Sequence, residues 1–396
     1  MTTISNLEAH GIPVAAATKP VKTTTVVQNV GQLHSLLDQG FDQAGREAHY
    51  QALFGGISGS DDAGAGTAQR IAAHVVGNAE LSDDDKAQVA AAFPMTVNVI
   101  ASPETAGPLT VSSRYDLSSA SGPTIVTFTD VILEQGGYFV CEATTLSFTC
   151  NTLTRNGTSG ITGTADFNIL GTTPATPPTP PAPSAPPQAA AGLNAECSSY
   201  GVAGPSGSPG SPGANGVRGT TGTPGGAGQP SQPATITINT TLVNPISIYA
   251  QSGIGGTGGN GGPGGSGGQG GNGGKGATCE CTGSGGGNGG AGGIGGEGGM
   301  AGDGGDGVNA AGNVVVYVPT PADVERVKYT SDAAPQGGPG QRGPGGAGGP
   351  GGAGGGAGKN SAAGSTGATG LHGATGVPGA QGSQNGAPVR IIVNSL

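Results

Sequence analysis

Glycine recurs at every third position in five separate stretches, Gly204–Gly228, Gly255–Gly276, Gly286–Gly307 (interrupted once, by Ala301), Gly340–Gly358 and Gly364–Gly382, and no other feature restricts the fold of this chain so strongly. A polyproline-II helix has three residues per turn and about 3.1 Å rise, so every third residue points the same way. The second and third stretches repeat Gly-Gly-X, with X running from Thr257 and Asn260 to Lys275 in one and from Asn288 to Asp306 in the other. Two faces in three then carry no Cβ, so backbones can approach closely and bond N–H to carbonyl where an ordinary domain would bury side chains. Composition points the same way: 85 of 396 residues are Gly and 30 are Pro, Trp is absent, and aromatics make up 4%. An ordinary globular chain has Gly near about 7% and Pro near about 5%. The stretches are 19 to 25 residues long, which predicts matched strands of roughly 60–75 Å. The short links 277–285 and 359–363 permit direct reversal, so antiparallel neighbours are expected.

The remainder divides by pattern. Residues 1–29 read as an extended arm ending in Thr23-Thr24-Thr25-Val26-Val27. Residues 30–94 change to a helical period marked by Val30, Leu33, Leu36 and Leu37, and a further helix is capped by Ser82, complemented by Asp83, Asp84 and Asp85, and ended by Pro94. Residues 95–171 alternate as strands do, with a turn at Gly136-Gly137, and predict a β-rich domain. Residues 172–196 are Pro-rich and read as a stiff linker. The glycine-rich region, 197–396, completes the expected fold class: a mixed chain with a small helical N-terminal module, an all-β middle region and a C-terminal glycine-rich polyproline-II bundle. The apolar segments between its runs, with Val389-Arg390-Ile391-Ile392-Val393 at the end, are expected to form a small β element at one end of that bundle.

The Gly-Gly-X runs resemble those of the polyglycine-II-type sandwiches in tail-fibre adhesins of contractile-tailed phages and in small glycine-rich antifreeze proteins. Gly-X-Y runs such as Gly207-Ser208-Pro209-Gly210-Ser211-Pro212 are also similar to bacterial collagen-like repeats. The resemblance covers residues 204–396 and implies an architecture and a surface or fibre role, with no residue-level site.

Catalytic and cofactor motifs are wanting. Gly253-Ile254-Gly255-Gly256-Thr257-Gly258 fits a dinucleotide fingerprint in form, yet such matches arise by chance in a Gly-rich chain and no helix follows to hold a pyrophosphate. Lys275 and Lys359 lack the flanking residues of a phosphate-binding loop. His10, His34, His49, His74 and His372 stand at no ligand spacing, and the stretch around Asp303 and Asp306 holds only one copy of what a calcium-binding β-roll would repeat. With 14 Lys plus Arg and net charge −10, no basic block offers itself to nucleic acid. No enzyme activity, cofactor or metal is therefore expected.

The cysteines Cys141, Cys150, Cys197, Cys279 and Cys281 predict one or two disulfides with one thiol left over. Cys141 and Cys150 either bridge a hairpin or adjacent rungs, or are free buried thiols. One cysteine of Cys279-Glu280-Cys281 is a candidate partner for Cys197. No export signal is legible at the N-terminus and no stretch approaches 18 consecutive apolar residues. The leading expectation is a self-assembling subunit of an extracellular fibre or of a cell or virion surface, whose partners are copies of itself. Thr24, Val26 and Val27 at one terminus and Val389, Ile391, Ile392 and Val393 at the other are the candidate assembly strands. The alternative is an adhesin recognising a surface receptor or glycan through loops between runs, with Tyr249, Tyr317 and Tyr329 as its aromatic candidates. An ice-binding role ranks third, since Asn, Gln, Lys and Pro interrupt any regular Thr/Ser face.

Overall fold

A computed structural model describes residues 12, 20–37, 43–55, 82–91, 93–102, 107–120, 122–158, 165–198 and 200–396. Most of the predicted N-terminal arm, together with His10 and His74, lies outside these residues. Among them are thirteen strands: β1 (Val21–Val27), β2 (Met95–Ala101), β3 (Leu109–Val111), β4 (Arg114–Asp116), β5 (Thr124–Leu133), β6 (Tyr138–Glu142), β7 (Leu146–Arg155), β8 (Phe167–Leu170), β9 (Ala234–Val243), β10 (Ile246–Gln251), β11 (Val314–Val318), β12 (Val327–Asp332) and β13 (Ile391–Ser395). Helices are few: α1 (Val30–Leu37), α2 (Gln43–Phe54), α3 (Asp83–Ala91) and the single turn α4 (Pro321–Val324).

The strands form two sheets. One has eight strands in the order β1-β2-β5-β7-β9-β11-β13, with β3 also on β5, and the other has five in the order β12-β10-β8-β6-β4. Only the β1–β2 pair is antiparallel. From β5 to β13 the chain alternates between the sheets strand by strand, so each coil adds one rung to both. This is where the predicted class fails. The chain is an α/β arrangement with few helices, built on a mixed eight-stranded sheet and a parallel five-stranded sheet, and it is not a helical module, an all-β domain and a polyproline-II bundle in series. Strands from the middle region and from the glycine-rich half share both sheets, as Phe148 of β7 beside Ile236 of β9 and Phe167 of β8 beside Ile248 of β10 show.

The alternation of side chains along each strand explains the choice. In β7, Leu146, Phe148 and Cys150 turn into the space between the sheets while Ser147 and Thr149 turn away; β11 sends Val314, Val316 and Val318 inward and Val315 and Tyr317 outward. Phe139, Phe148 and Phe167 meet at the centre with ring centroids 5.0–5.2 Å apart. Burying each such ring contributes about 1.5–3 kcal/mol, so a solitary β segment gains by joining this core. α1 packs Leu33 and Leu36 against Val97 and Val99 of β2, and α2 packs Leu53 against Val315 and Tyr317, so both lie on the outer face of the larger sheet.

The glycine-rich runs are the connections. Each of three excursions leaves the five-stranded sheet, runs outward, turns and returns to the eight-stranded sheet. The outward segments are 172–196, 255–276 and 337–358, and the return segments are 204–228, 286–307 and 364–386. None contributes a regular strand. Their stems close beside the sheets, Thr172 against Gln229 and Ala334 against Gly386. Successive outward segments bond in parallel, as when the Gly264 N–H donates to the Pro344 carbonyl at 2.9 Å, and outward and return segments bond in opposite directions, as when the Gly296 N–H donates to the Gly265 carbonyl at 2.7 Å. The three excursions thus stack into a two-layered fin that continues the coil of the sheets. The Pro-rich stretch belongs to it: Pro174, Pro177, Pro180, Pro183 and Pro186 lie over Gly256, Gly259, Gly262, Gly265 and Gly268, each with its Cβ 3.2–3.3 Å from where a glycine Cβ would stand.

Candidate functional site: the sheet edges and the fin

A sheet edge is functional through its main chain, so the question is which amides point outward. In β2, the N–H groups of Asn98 and Ser102 donate to Pro123 and Thr127 on the β5 side. Alternation then turns Val97, Val99 and Ala101 toward β1, where their partners are Thr25, Thr23 and Val21. The intervening β1 residues Lys22, Thr24 and Val26 direct N–H and C=O away from the sheet. At the opposite edge, Val314 N–H donates to the Arg390 carbonyl and Leu396 N–H to the Val318 carbonyl, which fixes Ile392 and Asn394 toward β11 and leaves Ile391, Val393 and Ser395 facing outward. Among the described residues, nothing pairs with either edge.

The predicted assembly residues therefore divide. Thr24, Val26, Ile391 and Val393 carry outward main-chain groups; Val27 and Ile392 face their own sheet; Val389 precedes β13 and is buried in the core. The two terminal strands stand at opposite edges of one sheet, so they meet only between molecules.

The cysteines resolve as one bond and three thiols. Cys197 is joined to Cys279 with Cα atoms 5.8 Å apart, tying the turn of the first excursion to that of the second at the distal tip of the fin. Cys141 and Cys150 are not bridged: they sit on β6 and β7, in different sheets, and both are buried thiols. Burial pushes the Cys141 thiol up to about 12 and that of Cys150 higher still. Cys281 is free and exposed.

Two buried polar groups escaped the sequence reading. Arg155 meets Asp166 at 2.7 Å with both side chains almost wholly enclosed; its guanidinium also donates to the Leu133, Glu134 and Asn156 carbonyls, and Asp166 accepts from the Ser247 amide. The pair holds the β7–β8 connection against β10. His49 of α2 lies between the Tyr317 hydroxyl at 2.8 Å and the Thr235 hydroxyl at 3.4 Å, and burial lowers its pKa to about 4. The stretch from Phe41 to Phe54, after Gly40, reads as a helix and α2 lies within it, but nothing local says that its histidine faces a sheet more than 180 residues away.

Asn and Asp at X positions add a regular side-chain device to the fin. Oδ1 of Asn260, Asn272, Asn288 and Asp303 each accepts the amide of an X residue in the following excursion, Gln341, Ala353, Ser365 and Ala380. These amides would otherwise face water. Of the aromatic candidates, Tyr249 and Tyr317 are buried on strands, and only Tyr329 is exposed, at 57%. Among the described residues no group of His, Cys, Asp and Glu is placed to hold a metal ion, and no helix is long and apolar enough to cross a membrane.

No family model, no curated protein and no solved structure matches this chain.

Proposed function

We propose that the chain is a non-catalytic structural subunit that assembles outside the cytoplasm, with β13 of one copy adding to β1 of the next. The observation that carries this reading is that β1 and β13 lie at opposite edges of the larger sheet, each with three alternate residues facing outward and no partner among the described residues. Such edges are templates for strand addition unless protected. Neither β1 nor β13 contains proline, the residue that would blunt an edge by removing its N–H. The Cys197–Cys279 bond supports the location, since disulfides persist in oxidising compartments.

Proline at Val393 removes an outward N–H without touching the bonds to β11, and proline at Val26 does the same at the other edge. Wild-type protein is expected to form rods in negative stain and large particles by light scattering, and Val393→Pro and Val26→Pro to stay short while keeping the wild-type circular dichroism. Wild-type protein that remains monomeric, or proline variants that polymerise as well as wild type, would overturn the proposal. Exposed Tyr200 at the fin tip favours a second reading, surface recognition, which a glycan or cell-binding assay with Tyr200→Ala would test.

A further inference from the structure

The two broad faces of the fin differ in chemistry. On the second and third outward segments the X residues are polar, small or proline, such as Asn260, Pro263, Gln269 and Gln341, and the one large exposed aliphatic residue of the outward segments is Leu193, on the first. On the return-segment face an apolar patch runs across the second and third excursions. The Gly295 N–H donates to the Leu371 carbonyl at 2.9 Å, which sets Leu371 beside Ile294, and the Ala301 N–H donates to the Val377 carbonyl at 2.9 Å, which sets Val377 beside Met300. These four side chains are 45%, 72%, 39% and 47% exposed for Ile294, Leu371, Met300 and Val377. On the last segment exposed Ala374 stands between Leu371 and Val377, and exposed Ala368 and Ala380 flank them. Glu297 stands in the same row between Ile294 and Met300, and its carboxylate pairs at 3.5 Å with Arg218 of the first return segment.

We infer that this return face binds the same face of a second copy, joining molecules fin to fin about a two-fold axis. Isolated surface leucines need no explanation, but two exposed apolar pairs on one face, with the carboxylate between them neutralised by Arg218, mark that face as an interface. The area supports a protein of the same kind as occupant. Three segments of about 20 residues, at roughly 3.1 Å per residue and roughly 5 Å apart, make a face of about 1,000 Å², and a stable interface takes about 800 Å² from each partner. The face is also flat, because each triplet carries one protruding side chain over a glycine backbone. Its side chains recur at the same three-residue spacing in both copies, so two such faces can interdigitate row by row, as an isologous contact requires. This contact is sideways to the strand addition proposed above and stands without it.

The test uses full-length protein carrying Val393→Pro, so that growth at the sheet edge does not obscure pairing. Analytical ultracentrifugation is expected to show a dimer at micromolar concentration, and adding Leu371→Asp is expected to shift it to monomer, at least tenfold weaker, with unchanged circular dichroism. Gln269→Asp, on the other face, is expected to leave the dimer intact. A Val393→Pro protein that sediments as a monomer, or a dimer indifferent to Leu371→Asp, overturns the inference. So does a monomer that instead binds phosphatidylcholine vesicles in a Leu371-dependent way, since the occupant would then be a lipid surface. None of these outcomes bears on whether wild-type protein forms rods, so the two proposals fail separately.

Discussion

At the scale of single residues, His49 shows how burial converts a common side chain into a pH-dependent one. A histidine ordinarily titrates near about 6.5, and its place between α2 and the β9–β11 face lowers that to about 4 because the charged form would lose its water. The folded pKa lies below the unfolded one, so the unfolded chain takes up the proton first as pH falls. The contribution is therefore complete above about pH 6.5 and is lost progressively toward pH 4, amounting to roughly 3 kcal/mol at most. Carboxylates held low by their partners, such as Asp116 and Asp323, lose their contributions in a lower range. Urea unfolding followed between pH 7 and pH 4.5 is expected to show a smaller loss for His49→Gln than for wild type. A wild-type slope in the variant would mean that α2 does not depend on the neutral imidazole.

Elements divide into those legible from neighbouring residues and those that are not. The alternation at 124–133 and 146–155, the turn at Gly136-Gly137 and the helix after Ser82 are local patterns, and the structure places β5, β7 and α3 there. What local pattern hides is pairing between segments separated by a whole excursion. Ile246 lies beside Val327, Ala234 beside Val314 and Val314 beside Ile391, separations of about 80 residues that recur because each coil carries one long loop. Cys197 and Cys279, 82 apart, repeat the same interval. That interval is present in the sequence, but Gly periodicity inside the loops is far louder than a weak repeat of β segments between them and masks it. The glycine requirement itself was legible, and it can be tested within one triplet. A Cβ on Gly264 would stand 2.1 Å from the Gly296 carbonyl oxygen, a backbone atom that cannot turn aside, whereas Ser266 in the same triplet is exposed. Gly264→Ala is expected to cost about 1–3 kcal/mol, as overpacking does, and to speed amide exchange at Gly264 and Gly296. Ser266→Ala is expected to change neither. Equal exchange in both variants would show that the segments have room between them.

For the whole molecule the question is which part holds the other in place. The sheets have a core of their own, with inward side chains from every rung from β5 to β11, while the fin has almost no apolar interior and depends on main-chain bonds between loops whose ends the strands fix. Glycine makes such loops costly to order, since its unfolded chain has the most freedom to lose. A stacked coil also contacts mainly its neighbours, so a terminal unit can be removed without dismantling the rest. The last excursion offers the cleanest cut. Ala334 and Gly386 exchange N–H···O bonds of 3.0 and 2.7 Å at its stem, so residues 335–385 can be replaced by a short Gly-Ser turn that leaves β12 and β13 in register. The shortened protein is expected to be folded, to keep its β-sheet circular dichroism and cooperative unfolding, and to lose modestly in urea midpoint because the second excursion loses its outer neighbour. If it is instead unfolded or aggregated, the glycine-rich fin is what holds the sheets together, and the dependence runs from fin to sheets.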